Sequence, residues 1–448
     1  MAIRQSEGRL PKTRGWRSPL GSTMRFPSIC EAGTFEGVRY FFVDDPEFFN
    51  REKLYGDKAG DYPDNSLRFG ELSRAAIEFC KQVWMPDVMH CHDWQAALAA
   101  VYLRTTYAND PSLMHLPVVF TVHNLGYQGL FPRTTLADIG LPDSLFRIDA
   151  LEYYGKINLL KGGLLFSDYI TTVSRKYAKE IQTTEYGCGL EGVIQSRGNR
   201  VVGILNGVDY TQWNPETDTH VAATYSAKLL DGKRLCKKDL LTVFQLPAEN
   251  IERPLIGIVS RFVDQKGFDL IADTAAELMK EDLALVALGN GEAKYEKLFQ
   301  ELAKKYPSRV GVKIAYDNTI AHKIEAGADM FLMPSRYEPC GLNQIYSLKY
   351  GTVPIVRATG GLDDTVEPFN TKTGKGTGFK FEAYQGAALI KCVREALAAY
   401  RDLAQRRALQ ANAMAKDFSW KTSAAEYVKL YEAAIQSRIQ AAVATSNV

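Results

Sequence analysis

Residues 333–366 constrain the fold of this 448-residue chain more than any other stretch. A short apolar run that ends at Met333 predicts a buried strand. The pattern then changes to a loop with proline and glycine, to a helix over residues 342–350, and to a second apolar strand over residues 353–356. A strand, a helix and a strand in this order are typical of a parallel sheet, because a parallel connection needs a long crossover. The stretch therefore predicts an α/β fold.

A carboxylate and a glycine pair lie where such a unit binds ligands. Glu338 follows the first strand near a helix N-terminus, and Thr359-Gly360-Gly361 follows the second strand. In open α/β sheets ligands bind beyond the carboxyl ends of the strands. Glycine N–H groups and a helix N-terminus favour a phosphate, whereas one carboxylate suits hydroxyl groups. The pattern predicts a nucleotide-sugar pocket, and the alternative is an ordinary strand–helix–strand unit with a surface glutamate.

The whole of residues 333–366 resembles the donor-site motif of bacterial glycogen synthases and plant starch synthases. These are retaining glucosyltransferases with two Rossmann-like domains, the GT-B fold. Many related transferases carry a second glutamate eight positions after the first, where this chain has Tyr346, as in the glycogen synthase branch. The resemblance implies an α/β fold of two Rossmann-like domains with a cleft between them. It also implies substrate contacts at Cys340, Gly341, Leu342, Thr359, Gly360 and Gly361.

Composition and length agree with a two-domain globular enzyme. The chain is 46% hydrophobic and 24% charged, and its net charge of +2 indicates no nucleic-acid partner. It has no apolar run of about eighteen residues, so we predict no membrane span, and no secretory signal is visible. Seven cysteines without a C-x-x-C pair favour free thiols in a reducing compartment. We predict a cytoplasmic protein and leave its oligomeric state open.

Domain boundaries follow from a polar, proline-bounded linker at residues 247–254. Residues 25–246 are predicted to form the N-terminal, acceptor-side (starch synthase catalytic) domain. Residues 255–420 are predicted to form the C-terminal nucleotide-sugar-binding domain. Residues 421–448 are expected to form a helix that crosses back to the N-terminal domain, as the resemblance implies.

Residues 1–24 do not resemble the start of a domain. They hold five basic residues against one acidic residue and no strand or amphipathic helix pattern. We predict an atypical, disordered segment, and an arginine-rich transit peptide is the alternative.

The segment also departs from the family pattern. Glycogen synthases open with a Lys-x-Gly-Gly-Leu loop that contacts the nucleotide sugar, and this loop is missing here. Lys161-Gly162-Gly163-Leu164 spells something similar, but it lies where the family has a helix. We therefore expect an incomplete N-terminal domain that lacks its first strand–helix–strand unit, through a misassigned start, a frameshift or a natural truncation.

Two segments of the N-terminal half follow predicted strands and carry polar side chains. Asp93 follows the strand at residues 87–91, where it can either cap a helix or face the cleft. The strand at residues 117–122 precedes His123-Asn124-Leu125-Gly126-Tyr127-Gln128-Gly129. A lone histidine is more often structural, but the resemblance implies that His123 lies beside the reacting glucose. It implies further substrate contacts at Asp93, Asn124, Tyr127, Gln128 and Asn206.

Two cations follow the first strand of the C-terminal half. Arg261 and Lys266 are five positions apart at a strand-to-helix junction, so both can reach one pyrophosphate. The alternative is a pair of solvated loop cations. The resemblance identifies them with the phosphate-binding arginine and lysine of the family. It places Gly289 beside the nucleotide and the base near Tyr316.

The resemblance implies transfer of glucose from ADP-glucose to the non-reducing 4-hydroxyl of an α-1,4-glucan such as glycogen, with retention. Glu338, His123, Arg261 and Lys266 are then the catalytic residues, and neither a metal nor a cofactor is expected. One alternative is a transferase of the same fold that uses UDP-glucose or another acceptor. The other is an inactive or glucan-binding remnant, because the N-terminal donor loop is missing.

Overall fold

The structure is a computed structural model that describes residues 12–15, 18–20, 23–25, 27–57 and 60–446. The strands, in chain order, are β1 (Lys12–Gly15), β2 (Ser18–Leu20), β3 (Thr23–Arg25), β4 (Ser28–Phe35), β5 (Val38–Asp44), β6 (Gly56–Asp57), β7 (Gly60–Asp61), β8 (Met89–His92), β9 (Val118–Val122), β10 (Leu130–Pro132), β11 (Glu152–Tyr153), β12 (Lys156–Asn158), β13 (Tyr169–Thr172), β14 (Val201–Gly203), β15 (Leu255–Val259), β16 (Ala284–Gly289), β17 (Val310–Ile314), β18 (Met330–Met333), β19 (Val353–Arg357) and β20 (Phe379–Phe381).

The helices alternate with the strands over most of the chain. They are α1 (Pro46–Phe49), α2 (Asn65–Gln82), α3 (Asp93–Arg104), α4 (Thr135–Asp138), α5 (Leu159–Phe166), α6 (Arg175–Glu180), α7 (Glu191–Ser196), α8 (Asp231–Val243), α9 (Phe268–Leu278), α10 (Ala293–Lys305), α11 (Asn318–Gly327), α12 (Asn343–Lys349), α13 (Gly360–Thr365), α14 (Gly386–Arg401), α15 (Leu403–Met414) and α16 (Trp420–Ser446). Within the described ranges, no helix is long and apolar enough to cross a membrane.

The chain divides into two compact units. The first contains the described residues up to Thr171, together with Ile181–Val202 and the part of α16 from Val428 onwards. The second contains Thr172–Glu180 and Gly203–Tyr427.

The first unit is built on a four-stranded sheet in the order β14-β13-β9-β8, in which β8 and β9 are parallel. Every residue of β9 is buried, and α3 and α5 pack together beside the sheet. The Lys161-Gly162-Gly163-Leu164 segment lies inside α5, where the Lys161 ammonium donates to the carbonyls of Ile148 and Glu152. The segment is therefore a buried part of a helix, as predicted, and not a donor loop.

Strands form in the N-terminal segment, where the sequence predicts none. β1 pairs with β4, β4 pairs with β5, and β2 pairs with β3, all antiparallel. The strand pairs are formed by backbone groups, so they need no alternating apolar pattern. Residues 1–11 lie outside the described residues, and the disorder expected there stays a prediction.

The second unit contains a six-stranded parallel sheet in the order β17-β16-β15-β18-β19-β20. Both of its faces are covered: alternate residues of β16 belong to one apolar cluster or the other. Burial on both faces explains why its strands are almost continuously apolar.

The strand–helix–strand unit of residues 333–366 forms as predicted, as β18, α12 and β19. Gly351 ends α12 with a φ of +64°, the left-handed conformation that favours glycine after a helix. All seven cysteines lie in the described part of the chain and are free thiols, also as predicted.

Candidate functional site

The candidate site of the second unit lies where the strand order reverses. From β15 the chain proceeds to β16 and β17 on one side, and then returns to β18 and continues to β19 and β20 on the other. The loops that follow β15 and β18 therefore separate and leave a crevice at the carboxyl edge of the sheet. Arg261 and Lys266 follow β15, and Glu338 follows β18. The reversal brings together residues that are more than seventy positions apart in the chain.

A partly buried ion pair joins the two loops that border this crevice. The Lys266 ammonium donates to Glu338 Oε2 at 2.6 Å, and the Ser335 hydroxyl donates to the same oxygen at 3.1 Å. The Glu338 side chain is only 6% exposed, and that of Lys266 is 18% exposed. Within the described part of the chain, Glu338 Oε1 accepts no hydrogen bond. The carboxylate thus has one oxygen held by the protein and a second one that is open to a ligand hydroxyl.

Arg261 lies exposed in the loop after β15. Its guanidinium makes no hydrogen bond or ion pair with any residue that the structure describes. Tyr316, which follows β17, is 89% exposed. Gly289 ends β16 next to the Ser260 backbone. Arg261 and Tyr316 are therefore exposed in loops at the same edge of the sheet as Glu338.

The turn at residues 359–361 packs directly on the Glu338 backbone. The Gly361 N–H donates to the Glu338 carbonyl at 3.0 Å. Gly360 has a φ of +45°, and a Cβ there would lie 1.9 Å from the same carbonyl oxygen, so only glycine fits. The Gly360 N–H and the Thr359 hydroxyl both donate to the Glu180 carboxylate, at 3.0 Å and 3.1 Å.

These contacts differ from the expectation for the turn. We predicted that the N–H groups of Gly360 and Gly361 face a phosphate, but both donate to protein oxygens. Glu180 is buried, and burial raises the pKa of its carboxyl although the donors on Gly360 and Thr359 oppose this. The turn is therefore a positioning element for Glu338 in this structure, and its ligand contacts stay a prediction.

Cys340 and Asn206 are neighbours in the second unit. The Cys340 thiol is buried, and burial raises its pKa to about 12, although a hydrogen bond with the Asn206 backbone opposes this. A thiol with so high a pKa is not a nucleophile at neutral pH. Gly341 adopts a φ of +69° before α12, and Leu342 is partly exposed. Cys340, Gly341 and Leu342 belong to the same loop as Glu338, and Asn206 contacts this loop at Cys340.

The first unit holds a cluster of histidines at the carboxyl ends of β8 and β9. His92 Nδ1 lies 3.0 Å from His123 Nε2, and the His123 N–H donates to Asp93 Oδ1 at 2.8 Å. Asp93 has a φ of +56°, an uncommon conformation for a residue other than glycine. Desolvation lowers the pKa of His90 to about 3 and that of His92 to about 4, and it raises the pKa of Asp93. His90 and His92 are therefore neutral at physiological pH.

The residues of the loop after β9 that were predicted to contact substrate differ from one another in exposure. Tyr127 is 55% exposed, and Asn124 Oδ1 accepts the Gly126 N–H at 3.0 Å. Gln128 is buried, and its amide bonds to the carbonyl of Cys188 and to the side chain of Asn158. The Gln128 side chain thus holds the loop in place, and its expected substrate contact stays a prediction.

Comparison with known proteins gives matches over most of the chain. The starch synthase catalytic domain family matches residues 9–196, and the family of group 1 glycosyl transferases matches residues 243–415. A protein from Koribacter versatilis named glycogen synthase is 55% identical over 430 residues, which is 96% of this chain and 88% of that protein. The chain belongs to the glycogen and starch synthase family. Glycogen synthase 2 of Geobacter sulfurreducens is 44% identical over 90% of this chain and 83% of that protein.

Solved structures give the same family. The catalytic domain of starch synthase IV from Arabidopsis thaliana, bound to ADP and acarbose, has a TM-score of 0.87 and 33% identity, over 96% of this chain and 88% of that one. Sucrose-phosphate synthase from Thermosynechococcus elongatus has a TM-score of 0.55 at 18% identity, which shows the fold alone. The predicted GT-B fold and the predicted assignment to retaining glucosyltransferases of the glycogen synthase type are confirmed. The incomplete N-terminal domain stays a prediction.

Sequence reasoning missed two residues of the site. Ser335 shares the Glu338 carboxylate with Lys266, and Glu180 holds the turn at residues 359–361. Ser335 lies three positions before Glu338 in the loop after β18, so the sequence could have indicated its hydroxyl as a neighbour of the carboxylate. Glu180 is about 180 residues away from its partners, and a single sequence carries no signal for such a contact.

We expect Glu180→Ala to lower the free energy of unfolding by about 1–3 kcal/mol, because it leaves two buried donors without an acceptor. Glu180→Gln keeps one acceptor oxygen and is expected to cost less. Urea denaturation measures both changes. Glu185→Ala removes an exposed carboxylate nearby in sequence and serves as the control. Equal stability of Glu180→Ala and the unmodified chain would contradict a positioning role.

Proposed function

We propose that this chain transfers glucose from ADP-glucose to the non-reducing 4-hydroxyl of an α-1,4-glucan, with retention at the anomeric carbon. The observation that carries the proposal is the partly buried Lys266–Glu338 pair, together with the exposed Arg261 guanidinium in the same loop as Lys266, which bonds to none of the described residues. The related starch synthase IV structure contains ADP and acarbose, a pair that fits a nucleotide-sugar donor and a glucan acceptor. We also propose the cytoplasm as the location, on the composition alone.

Arg261 and Lys266 are proposed to bind the diphosphate of the donor. Negative charge builds on the β-phosphate when its bond to the glucose carbon breaks, and two cations stabilise that charge. In the absence of a ligand, Lys266 is balanced by Glu338. A bound diphosphate would compete for this ammonium, so Glu338 would be freed to bind glucose hydroxyls or to stabilise positive charge on the ring.

The reaction needs a base for the acceptor hydroxyl. We propose that the electron pair of the breaking C1–O bond passes to the β-phosphate oxygen, and that this oxygen takes the proton of the acceptor hydroxyl. The acceptor oxygen then bonds to C1 on the face that the phosphate leaves, which retains the configuration. Arrangement of both reactants at one carbon supplies much of the rate.

We also propose roles for the other residues that were predicted to contact the substrates. Tyr316 is proposed to stack on the nucleotide base, with Gly289 beside it. His123 is proposed to contact the reacting glucose, and its backbone is held by Asp93. The other proposed substrate contacts are Asn124, Tyr127, Gln128, Asn206, Cys340, Gly341, Leu342, Thr359, Gly360 and Gly361.

The test is incorporation of labelled glucose into glycogen by the purified chain, with ADP-glucose and UDP-glucose in parallel. We expect incorporation with release of ADP, and slower or no incorporation from UDP-glucose. Digestion from the non-reducing end with an α-1,4-specific exoenzyme should release the label. Incorporation only from UDP-glucose would overturn the proposed donor. No incorporation from either donor, by a chain with a cooperative unfolding transition, would overturn the proposed activity.

A further inference from the structure

A second polar pocket of the second unit lies away from the crevice. Its volume is about 210 Å³, and residues of α8, α14 and α15 line it together with Asp329. Asp329 directly precedes β18, and its Oδ2 accepts the N–H of Leu255, the first residue of β15. The pocket is therefore at the amino edge of the sheet, whereas Glu338 and Arg261 follow the carboxyl ends of the same two strands.

Cations outnumber carboxylates in the lining of this pocket. The lining contains five basic residues and three acidic ones, which leaves an excess of two positive charges. Lys237 pairs with Asp329 at 2.7 Å, and Arg234 pairs with Glu252, so these four charges largely cancel. The third acidic residue, Asp231, is exposed.

The pKa of Glu252 shows the effect of the positive charges around the pocket. The hydrogen bond from Arg234 lowers the pKa of its carboxyl, and Lys237 and Arg406 contribute to the same shift. At least three cations therefore act on one exposed carboxylate of the lining.

The three remaining cations of the lining have no carboxylate partner within the described residues. Arg406 and Arg407 make no ion pair, and the Arg406 guanidinium lies over the Tyr400 ring at 4.7 Å. Lys233 is buried, and its ammonium donates to Thr352 Oγ1 at 2.6 Å, to the Ala326 carbonyl at 2.9 Å and to the Tyr350 carbonyl at 3.1 Å, so protein oxygens take all three of its N–H groups. The Arg406 and Arg407 guanidinium groups therefore keep N–H donors for a ligand, whereas Lys233 contributes only its charge.

Lys233 is the buried member of the three cations. Burial lowers the pKa of Lys233 to about 8, although the nearby charge of Asp329 opposes this shift. The nearby carboxyl of Glu325 is also fully buried, and burial raises its pKa well above the ordinary value, which favours its neutral form.

We propose that the pocket binds a small phosphate ester, with its phosphate held by the Arg406 and Arg407 guanidinium groups. Guanidinium groups bind phosphate through paired hydrogen bonds, and an ammonium acts as a point charge. A pocket of about 210 Å³ is large enough for a phosphate on a short polyol. This site is separate from the donor crevice and does not depend on the proposed transfer reaction.

Calorimetric titration with glycerol 3-phosphate at low salt tests the proposal. We expect one binding site on the unmodified chain, and at least about tenfold weaker binding for the Arg406→Gln/Arg407→Gln double variant, because charge-assisted hydrogen bonds are lost. The Arg406→Lys/Arg407→Lys variant keeps the charge and should bind with intermediate affinity. Arg401→Gln changes a nearby exposed arginine outside the lining and should bind normally.

A donor-crevice variant separates the two phosphate sites. Binding should persist in Arg261→Ala if the ligand lies in the proposed pocket. Binding that is lost in Arg261→Ala but kept in the double glutamine variant would place the ligand in the donor crevice and overturn the proposal. Absence of binding to the unmodified chain, or equal binding of uncharged glycerol, would overturn it as well.

Discussion

Glu338→Gln is expected to lower the rate of glucose transfer about 10³-fold, because the site loses the charge that balances Lys266 and stabilises the transition state. Glutamine keeps the shape of the side chain and one acceptor oxygen, so the loss would report the charge rather than the volume. The measurement is kcat and KM for ADP-glucose with saturating glycogen. We expect the loss mainly in kcat, since the charge acts on the transition state more than on the bound donor.

The control for this change is Glu395→Gln, which removes an exposed carboxylate that is 3.9 Å from Lys391. It should leave both kinetic constants unchanged. Urea denaturation of Glu338→Gln separates a chemical effect from unfolding, because the change leaves Lys266 partly buried without its ionic partner. A folded Glu338→Gln enzyme with kcat within about threefold of the unmodified chain would exclude a catalytic role for this carboxylate.

The central strands of the second unit were predictable because they are buried on both faces. Such strands are continuous apolar runs, so Leu255–Val259 and Val353–Arg357 could be found within a residue or two of their observed ends. Parallel strands expose their carboxyl ends at one edge, so residues that follow them meet there. The nearness of Lys266 to Glu338 follows from this rule and from the reversal of strand order between β15 and β18, but their ion pair was not predicted.

Contacts made by side chains after packing were not predictable. The Gly360 N–H was expected to bind a phosphate, since glycine turns after strands often do, but Glu180 reaches it from a distant part of the chain. Gln128 was expected at the substrate, but its amide bonds to Asn158 and Cys188. In each case a buried polar group found a protein partner, as buried polar groups do in folded chains. A sequence pattern gives the position of such a donor but not its acceptor.

The short strands β1, β2 and β3 show a different limit. Their pairs depend on backbone hydrogen bonds between segments of three or four residues. Such segments are too short for an alternating apolar pattern, so the basic composition of this region dominates any prediction. Short strands that pair only through their backbones are therefore not visible in the composition of a segment.

Arg261→Ala is expected to lower kcat about 10²-fold to 10³-fold without lowering the stability of the chain. The guanidinium is exposed and bonds to none of the described residues, so its removal leaves no buried group without a partner. Its proposed partner is the charge that develops on the β-phosphate, so the loss should fall on kcat more than on KM for ADP-glucose. Steady-state kinetics and urea denaturation of the same preparation measure the two effects together.

Lys266→Ala is the informative comparison, because Lys266 has both a proposed catalytic partner and a structural one. Its removal leaves the buried Glu338 carboxylate with only the Ser335 hydroxyl, so both kcat and stability should fall. Arg401→Ala, which removes another exposed arginine, should change neither. If Arg261→Ala kept full activity, the free cation beside the crevice would be a solvated surface charge, and leaving-group stabilisation would rest on Lys266 alone. If Arg261→Ala lost stability as well as activity, the arginine would have a structural role that its lack of contacts does not suggest.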